Sequence, residues 1–213
     1  MRDDDRLISR RTFAGSALAT ATLLAAPRSH AAEALAPTPS ETIGPFYPIQ
    51  RLLESDADLT RIKGHRSRAK GTVIEVTGRV LDRHGNPMRG AKLEIWQCNA
   101  AGRYAHPNDI ATQPLDPDFQ GYASIVADRT GAWRITTIKP AGYNSPIGFR
   151  TPHIHFDVQG RAHRLTSQMY FPDEDKTNQT DGLYSQMGSA AVRTVARADG
   201  VGRYNWDIVL MDG

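Results

Sequence analysis

The chain has 213 residues, with 26 Lys and Arg against 23 Asp and Glu, 39% hydrophobic residues and one cysteine. That length supports one domain with a full core, and so small a charge excess gives no basic surface for nucleic acid or anionic lipid. A lone thiol excludes an intrachain disulfide framework.

The first 32 residues read as an export signal. Ser9-Arg10-Arg11-Thr12-Phe13 carries paired arginines, Ala14 to Ala26 is a weakly apolar run, and small residues at Ser29, Ala31, Ala32 and Ala34 offer a cleavage site of the A-x-A type. A helix over the apolar run would span roughly 20 Å, too short for a bilayer. We expect residues 1–32 to be a cleaved twin-arginine signal and the protein to be periplasmic. Setting aside the leader's five arginines and three aspartates leaves 21 basic and 20 acidic side chains, so the basic excess belongs to the leader.

Residues 33–70 are predicted as an extended N-terminal arm. They hold Ala36-Pro37-Thr38-Pro39, the charged stretch Arg61 to Lys70, and one short helical turn near Leu52 to Leu59. From residue 71 the pattern is that of β-strands. Thr72 to Leu81 and Ala91 to Gln97 flank the turn Arg83-His84-Gly85-Asn86-Pro87. Gly121 to Ala127 and Ala132 to Ile138 flank Asp128-Arg129-Thr130-Gly131, a hairpin signal. Pro152 to Val158, Leu165 to Phe171 and Tyr204 to Met211 complete at least seven strands. The expected fold class is all-β, an antiparallel β-sandwich over residues 71–213, with long functional loops at 98–120, 139–152 and 172–200. Cys98 has apolar neighbours and no partner base, and reads as an inert buried thiol.

Strand side chains alternate between faces. In His153-Ile154-His155-Phe156-Asp157-Val158 the apolar residues claim the core, so His153 and His155 project together from the opposite face, spaced to share one metal ion. Trp96 falls with Lys92 and Glu94, opposite Leu93 and Ile95, and such a Trp needs something to cover it. Gln168 falls with Thr166 and Tyr170, opposite Leu165, Met169 and Phe171. Arg150, just ahead of the histidines, brings a guanidinium to the same place. Two imidazoles suit zinc, copper or iron, and no third His or Cys stands at strand spacing. Loop tyrosines such as Tyr104 and Tyr143 are available instead. A phenol ionises near pH 10, so a phenolate ligand at neutrality calls for a trivalent ion, which selects Fe(III). Residue types alone do not choose two of the seven tyrosines.

Several stretches together resemble the intradiol ring-cleavage dioxygenases, in the protocatechuate 3,4-dioxygenase-like branch. They are Thr42-Ile43-Gly44-Pro45-Phe46-Tyr47-Pro48, Val76-Thr77-Gly78-Arg79-Val80, the run from Glu94 to Tyr104, Leu115-Asp116-Pro117-Asp118-Phe119, Thr137-Ile138-Lys139-Pro140, Arg150 to Phe156, Thr166 to Phe171 and Asp207-Ile208-Val209-Leu210. The resemblance implies one Fe(III) per chain held by Tyr104, Tyr143, His153 and His155, with Tyr143 also acting as a base toward substrate. It implies a substrate site lined by Trp96, Gln168, Gly44, Pro45 and Phe46, with Arg150 stabilising negative charge on the ring. Substrate and co-substrate would be a catechol such as protocatechuate and O2, and the family's habit of assembling implies a homo-oligomer. Gly44-Pro45-Phe46 resembles a segment that the non-catalytic α chain supplies in two-subunit members. One departure is Asn144-Ser145-Pro146-Ile147-Gly148, where protocatechuate enzymes carry a Trp near Ser145. The contrasting expectation is a non-catalytic transthyretin-like or carboxypeptidase-regulatory β-sandwich binding module, suggested by Val76 to Val80 followed by Gly85-Asn86-Pro87.

Overall fold

A computed structural model describes residues 34–49 and 54–211, so the expected export signal lies outside the described residues. Eleven strands occur among the described residues: β1 (Val73–Leu81), β2 (Lys92–Trp96), β3 (Tyr122–Val126), β4 (Ala132–Ile138), β5 (Tyr143–Ser145), β6 (Gly148–Arg150), β7 (His153–Gln159), β8 (Arg164–Tyr170), β9 (Arg197–Ala198), β10 (Arg203–Asn205) and β11 (Ile208–Val209). One sheet is antiparallel throughout, in the order β3-β2-β7-β8. The other is built on β1, which pairs antiparallel with β4 and parallel with β10 and β11, with β9 beyond β10. The two sheets enclose one core. Val76, Val80 and Ile135 from the β1 sheet meet Leu93, Ile95, Ile154, Phe156, Val158 and Met169 from the β3-β2-β7-β8 sheet, all fully buried. Trp133 and Trp206 lie against Phe156 at 5.2 and 5.0 Å between ring centroids. The expected all-β sandwich is the fold found.

Four expectations need correction. The run Tyr204 to Met211 forms two short strands, not one, and both are parallel to β1. The ladder holds as far as Trp206, whose backbone N–H donates to the Thr77 carbonyl at 2.8 Å as its side chain enters the core, and is interrupted where Arg79 N–H is taken by the Asp207 carboxylate at 2.9 Å. The loop 139–152 contains the hairpin β5–β6. The loop 172–200 contains α1 (Asp175–Thr180) and α2 (Gly182–Gln186), each too short for a helical period to show in sequence. Of the expected helical turn, residues 54–59 are described and form no helix. They run extended along β4, with Leu59 N–H donating to Thr136 O and Thr136 N–H to Ala57 O, both at 2.8 Å.

Residues 34–49 join the two sheets. Their backbone bonds Arg83 O through Leu35 N, Val209 O through Thr38 N and Thr166 O through Glu41 N, running from β11 to β8 and covering strand edges that would otherwise be exposed. No helix among the described residues is long and apolar enough to cross a membrane. A Cβ built on Gly78 would lie 1.8 Å from the Trp206 carbonyl oxygen. Gly78→Ala must push β1 from the Trp206 turn, and we expect it to lower unfolding free energy by about 3 kcal/mol, measured by denaturant titration.

Candidate metal centre

Strand β7 is buried on both faces. Ile154, Phe156 and Val158 enter the sandwich core, so His153 and His155 occupy the outer face of the β3-β2-β7-β8 sheet, only 1% and 2% exposed. Cross-strand register decides their neighbours, because directly opposed residues of antiparallel strands share a face. Trp96 on β2 and Gln168 on β8 both oppose His155, and Tyr170 opposes His153. The Trp96 indole stacks on the His155 ring at 4.8 Å and 7° between planes, which is the cover its polar-side position demanded. Gln168 is wholly buried, not a surface amide.

Two loops bring the tyrosines. After β2, Asn99 accepts the N–H groups of Ala101 and Arg103 at 2.9 and 3.0 Å, and Gly102 takes a positive φ of 78°, turning the chain so that Tyr104 points back over the sheet. A Cβ on Gly102 would stand 2.9 Å from Gly142 O, so this glycine lets the two tyrosine loops touch. Tyr143 opens the β5–β6 hairpin and directly opposes Arg150.

The four rings form a closed circuit. Centroids are 5.6 Å apart for Tyr104–Tyr143, 5.7 Å for Tyr143–His153, 4.8 Å for His153–His155 and 6.2 Å for His155–Tyr104. His153 Nδ1 lies 2.6 Å from Thr151 O, which only accepts, so Nδ1 carries the proton and Nε2 presents a lone pair. That Nε2 is 3.2 Å from the Nε2 of His155. Two nitrogens each about 2.1 Å from one ion, at right angles, would be about 3 Å apart.

Compared with known proteins, residues 43–212 match a family described as Dioxygenase. The chain is 44% identical over 135 residues to a protocatechuate 3,4-dioxygenase beta chain from Burkholderia cepacia, covering 61% of this chain and 57% of that one. It is 31% identical to a protocatechuate 3,4-dioxygenase alpha chain from Pseudomonas putida, covering 68% of this chain and 75% of the relative. Among solved structures, the dioxygenase domain of a dioxygenase–carbohydrate-binding fusion from Streptomyces sp. SirexAA-E superposes with a TM-score of 0.62 at 26% identity, covering 84% of this chain and all of that domain. This chain belongs to the intradiol dioxygenase family. The match spans little more than half of the B. cepacia chain.

Intradiol dioxygenases are oxidoreductases of catechols and use iron, and the donors here fit that metal. Among the described residues no three His, Cys, Asp or Glu side chains gather to hold an ion, so the phenols must complete any set. Tyr104 Oη is buried without a hydrogen-bond partner, an arrangement that costs about 1–3 kcal/mol unless something else satisfies it. Burial, then the charge of Arg150, lowers His153 to about 3; burial, then His153, holds His155 well below the usual imidazole range, so both imidazoles are neutral donors at pH 7. Burial pushes the Tyr143 phenol up to about 12, against the pull of Arg150. Burial first, and then Tyr143, raises Tyr104 well above 10. Phenols so reluctant to ionise become ligands at neutrality only for a strongly acidic ion, which favours ferric over ferrous iron.

Arg150 is 5% exposed and fully engaged. Its Nε donates to Asp181 Oδ2 at 2.9 Å and its Nη2 to Gln168 Oε1 at 2.5 Å. Asp181, itself wholly buried, also accepts Thr151 N–H and caps α2 through Leu183 and Tyr184 N–H groups. From the arm, a Cβ built on Gly44 would lie 3.4 Å from the His155 ring, and Phe46 stacks on Tyr104 at 4.5 Å and meets Tyr143 edge-on at 6.2 Å. Pro45 is exposed. Sequence reasoning missed Asp181 and Glu41. The first showed only as an Asp before a Gly-Leu pair, an N-cap pattern lost inside a presumed loop, and the second gave no signal. Cys98 is buried with Sγ 3.3 Å from Ala141 O, and burial pushes its thiol up to about 12, as an inert thiol requires.

Proposed function

We propose that Tyr104, Tyr143, His153 and His155 hold one ferric ion per chain. The protein then opens a catechol-type ring between its two hydroxyls and incorporates both atoms of O2 into a cis,cis-muconate-type dicarboxylate. The observation that carries this reading is the closed circuit of two phenols and two neutral imidazoles with the Nε2 atoms facing each other. A ferric ion bound there would supply Lewis acidity, drawing the catechol oxygens as a dianion and leaving the ring electron-rich toward dioxygen.

The chain's own groups divide the remaining work. Tyr143, half-buried where Tyr104 is closed off, is placed to take a substrate proton at Oη. Arg150 holds a fixed positive charge opposite Tyr143, where negative charge on the substrate ring would grow, and Gln168 and Asp181 keep it from turning away. Trp96 fixes the plane of His155, while Gly44 and Phe46 close the arm over the histidine and Tyr104. The 44% identity to a protocatechuate 3,4-dioxygenase beta chain supports a protocatechuate-type substrate. An arm that resembles the α-chain segment, joined to a full ligand set, supports a site completed within one polypeptide, assembled as a homo-oligomer. A binding module gives no reason for Tyr104, Tyr143, His153, His155 and Arg150 to converge.

Protein loaded with ferric iron should turn red to purple from phenolate charge transfer, bleach with dithionite and change colour with catechol. Oxygen uptake should match consumption of protocatechuate, catechol or hydroxyquinol one to one. A protein that stays colourless after loading, and consumes no oxygen with any of the three, would end this reading. The export proposal is tested by replacing Arg10 and Arg11 with lysine, which should hold the protein in the cytoplasmic fraction.

A further inference from the structure

The arm carries a carboxyl group that the chemistry above does not use. Glu41 is half-buried against β8. Its Oε1 accepts Gln168 N–H at 3.2 Å and its Oε2 accepts the Tyr170 hydroxyl at 2.8 Å. The same hydroxyl is 3.3 Å from Gln168 Oε1, the atom that accepts Arg150 Nη2. One phenol therefore has two acceptors in reach, one on the arm and one on the residue that steadies Arg150.

Hydrogen-bond valence decides which acceptor it serves. An ionised carboxylate only accepts, so Tyr170 must aim its proton at Glu41, leaving Gln168 Oε1 to Arg150 alone. A neutral carboxyl must donate its own proton, and Tyr170 Oη is the acceptor at hand. The phenol proton is then free to turn to Gln168 Oε1, where it shares the oxygen with Arg150. The charged and titratable groups facing Glu41 are Tyr170 from β8, Arg150 from β6 and Asp181 ahead of α2. The groove on its other side, formed with Leu183, Gln186, Met187 and Ala190, adds no charge and gives protons a route from solvent. Burial raises the carboxyl to about 7, against the lowering effects of Tyr170, Gln168 and Arg150, so both forms exist near neutrality.

We propose that Glu41 is a positioning residue whose protonation turns the Tyr170 hydroxyl from the arm to Gln168 and so resets the grip on Arg150 beside the bound catechol. The inference rests on the catechol reading for what Arg150 faces. It is tested with full-length, iron-loaded wild type, Glu41→Gln and Tyr170→Phe, by anaerobic catechol titration followed in the visible band and by thermal unfolding, from pH 5.5 to 8.5. Wild-type affinity should change about tenfold across this range with a midpoint near 7, the worth of one hydrogen bond. Both variants should give flat profiles. Unfolding supplies a readout free of catechol. A carboxyl held in the fold above its ordinary value near 4.5 stabilises the fold at low pH and loses that contribution as pH rises through about 7. Wild type should therefore lose melting temperature over that interval more steeply than Glu41→Gln. If wild type binds no catechol at any pH, the catechol reading fails. If it binds but all three proteins share one pH profile, or Glu41→Gln melts with the wild-type slope, the role of Glu41 is overturned on its own.

Discussion

Tyr104→Phe is expected to abolish the visible colour and cut turnover at least about a thousandfold, while raising the melting temperature of the metal-free chain. The two halves have one cause. Tyr104 Oη is buried with no hydrogen-bond partner, so the folded chain carries the desolvation penalty of a hydroxyl it does not satisfy. Removing that oxygen relieves the metal-free protein of about 1–2 kcal/mol. The ring remains, and with it the stack on Phe46 at 4.5 Å and the edge contact with Tyr143 at 5.6 Å, so the loop should not move. Ferric iron, however, would lose one of the two proposed phenolate donors, and with it much of the charge transfer. Iron content by plasma emission, absorbance between 400 and 600 nm and calorimetry of the iron-stripped protein are the measurements that decide. A Tyr104→Phe protein that retains iron, colour and activity would show that Tyr104 is not a ligand. One that melts well below wild type would show that the hydroxyl is satisfied in the folded chain.

The contrast between Tyr104 and the histidines shows what the sequence could disclose. His153 and His155 were legible because alternation along one strand is a local property. Once Ile154, Phe156 and Val158 claim the core, the histidines have only one face left. The inverted position of Trp96 was legible for the same reason, although its partner was not, since the pairing of Trp96 with His155 depends on the register of β2 against β7. The tyrosines could be nominated only as a chemical type. Their convergence depends on Gly102 passing the Gly142 carbonyl, a contact between loops some forty residues apart that leaves no period in the chain. Resemblance to a family supplied that choice. The division of Tyr204 to Met211 was hidden because Trp206 and Ile208 continue the apolar alternation, while the Asp207 side chain between them takes the Arg79 N–H of β1. Asp181 and Glu41 were hidden more deeply. Each is an ordinary acidic residue in sequence, and becomes exceptional only because α2 and the arm are folded against Gln168 and Arg150.

Asp181 supports the largest stability prediction. Asp181→Ala removes four hydrogen bonds at once: the pair with Arg150 Nε at 2.9 Å, the bond from Thr151 N–H at 3.0 Å, and the two caps of α2 from Leu183 and Tyr184 at 2.9 and 3.3 Å. It also leaves the 6%-exposed Arg150 side chain as a buried charge without its counterion. Breaking such a pair from one side costs about 3–5 kcal/mol, and loss of the cap adds about 1 kcal/mol. Removing Arg150 as well should return part of that loss, because the stranded charge disappears with its partner. Arg150→Ala alone should lower turnover about a hundredfold while leaving iron content near wild type, since Arg150 touches Gln168 and Asp181 and bonds none of the four candidate ligands. Denaturant unfolding of the two single variants and the double variant forms a closed cycle. A coupling energy near zero would mean that the two charges do not sense each other in the folded protein, and the buried pair could not be what holds the guanidinium toward the substrate. A coupling of about 2 kcal/mol or more would place the orientation of Arg150 in the hands of a residue 31 positions away, the cap of a helix too short to announce itself.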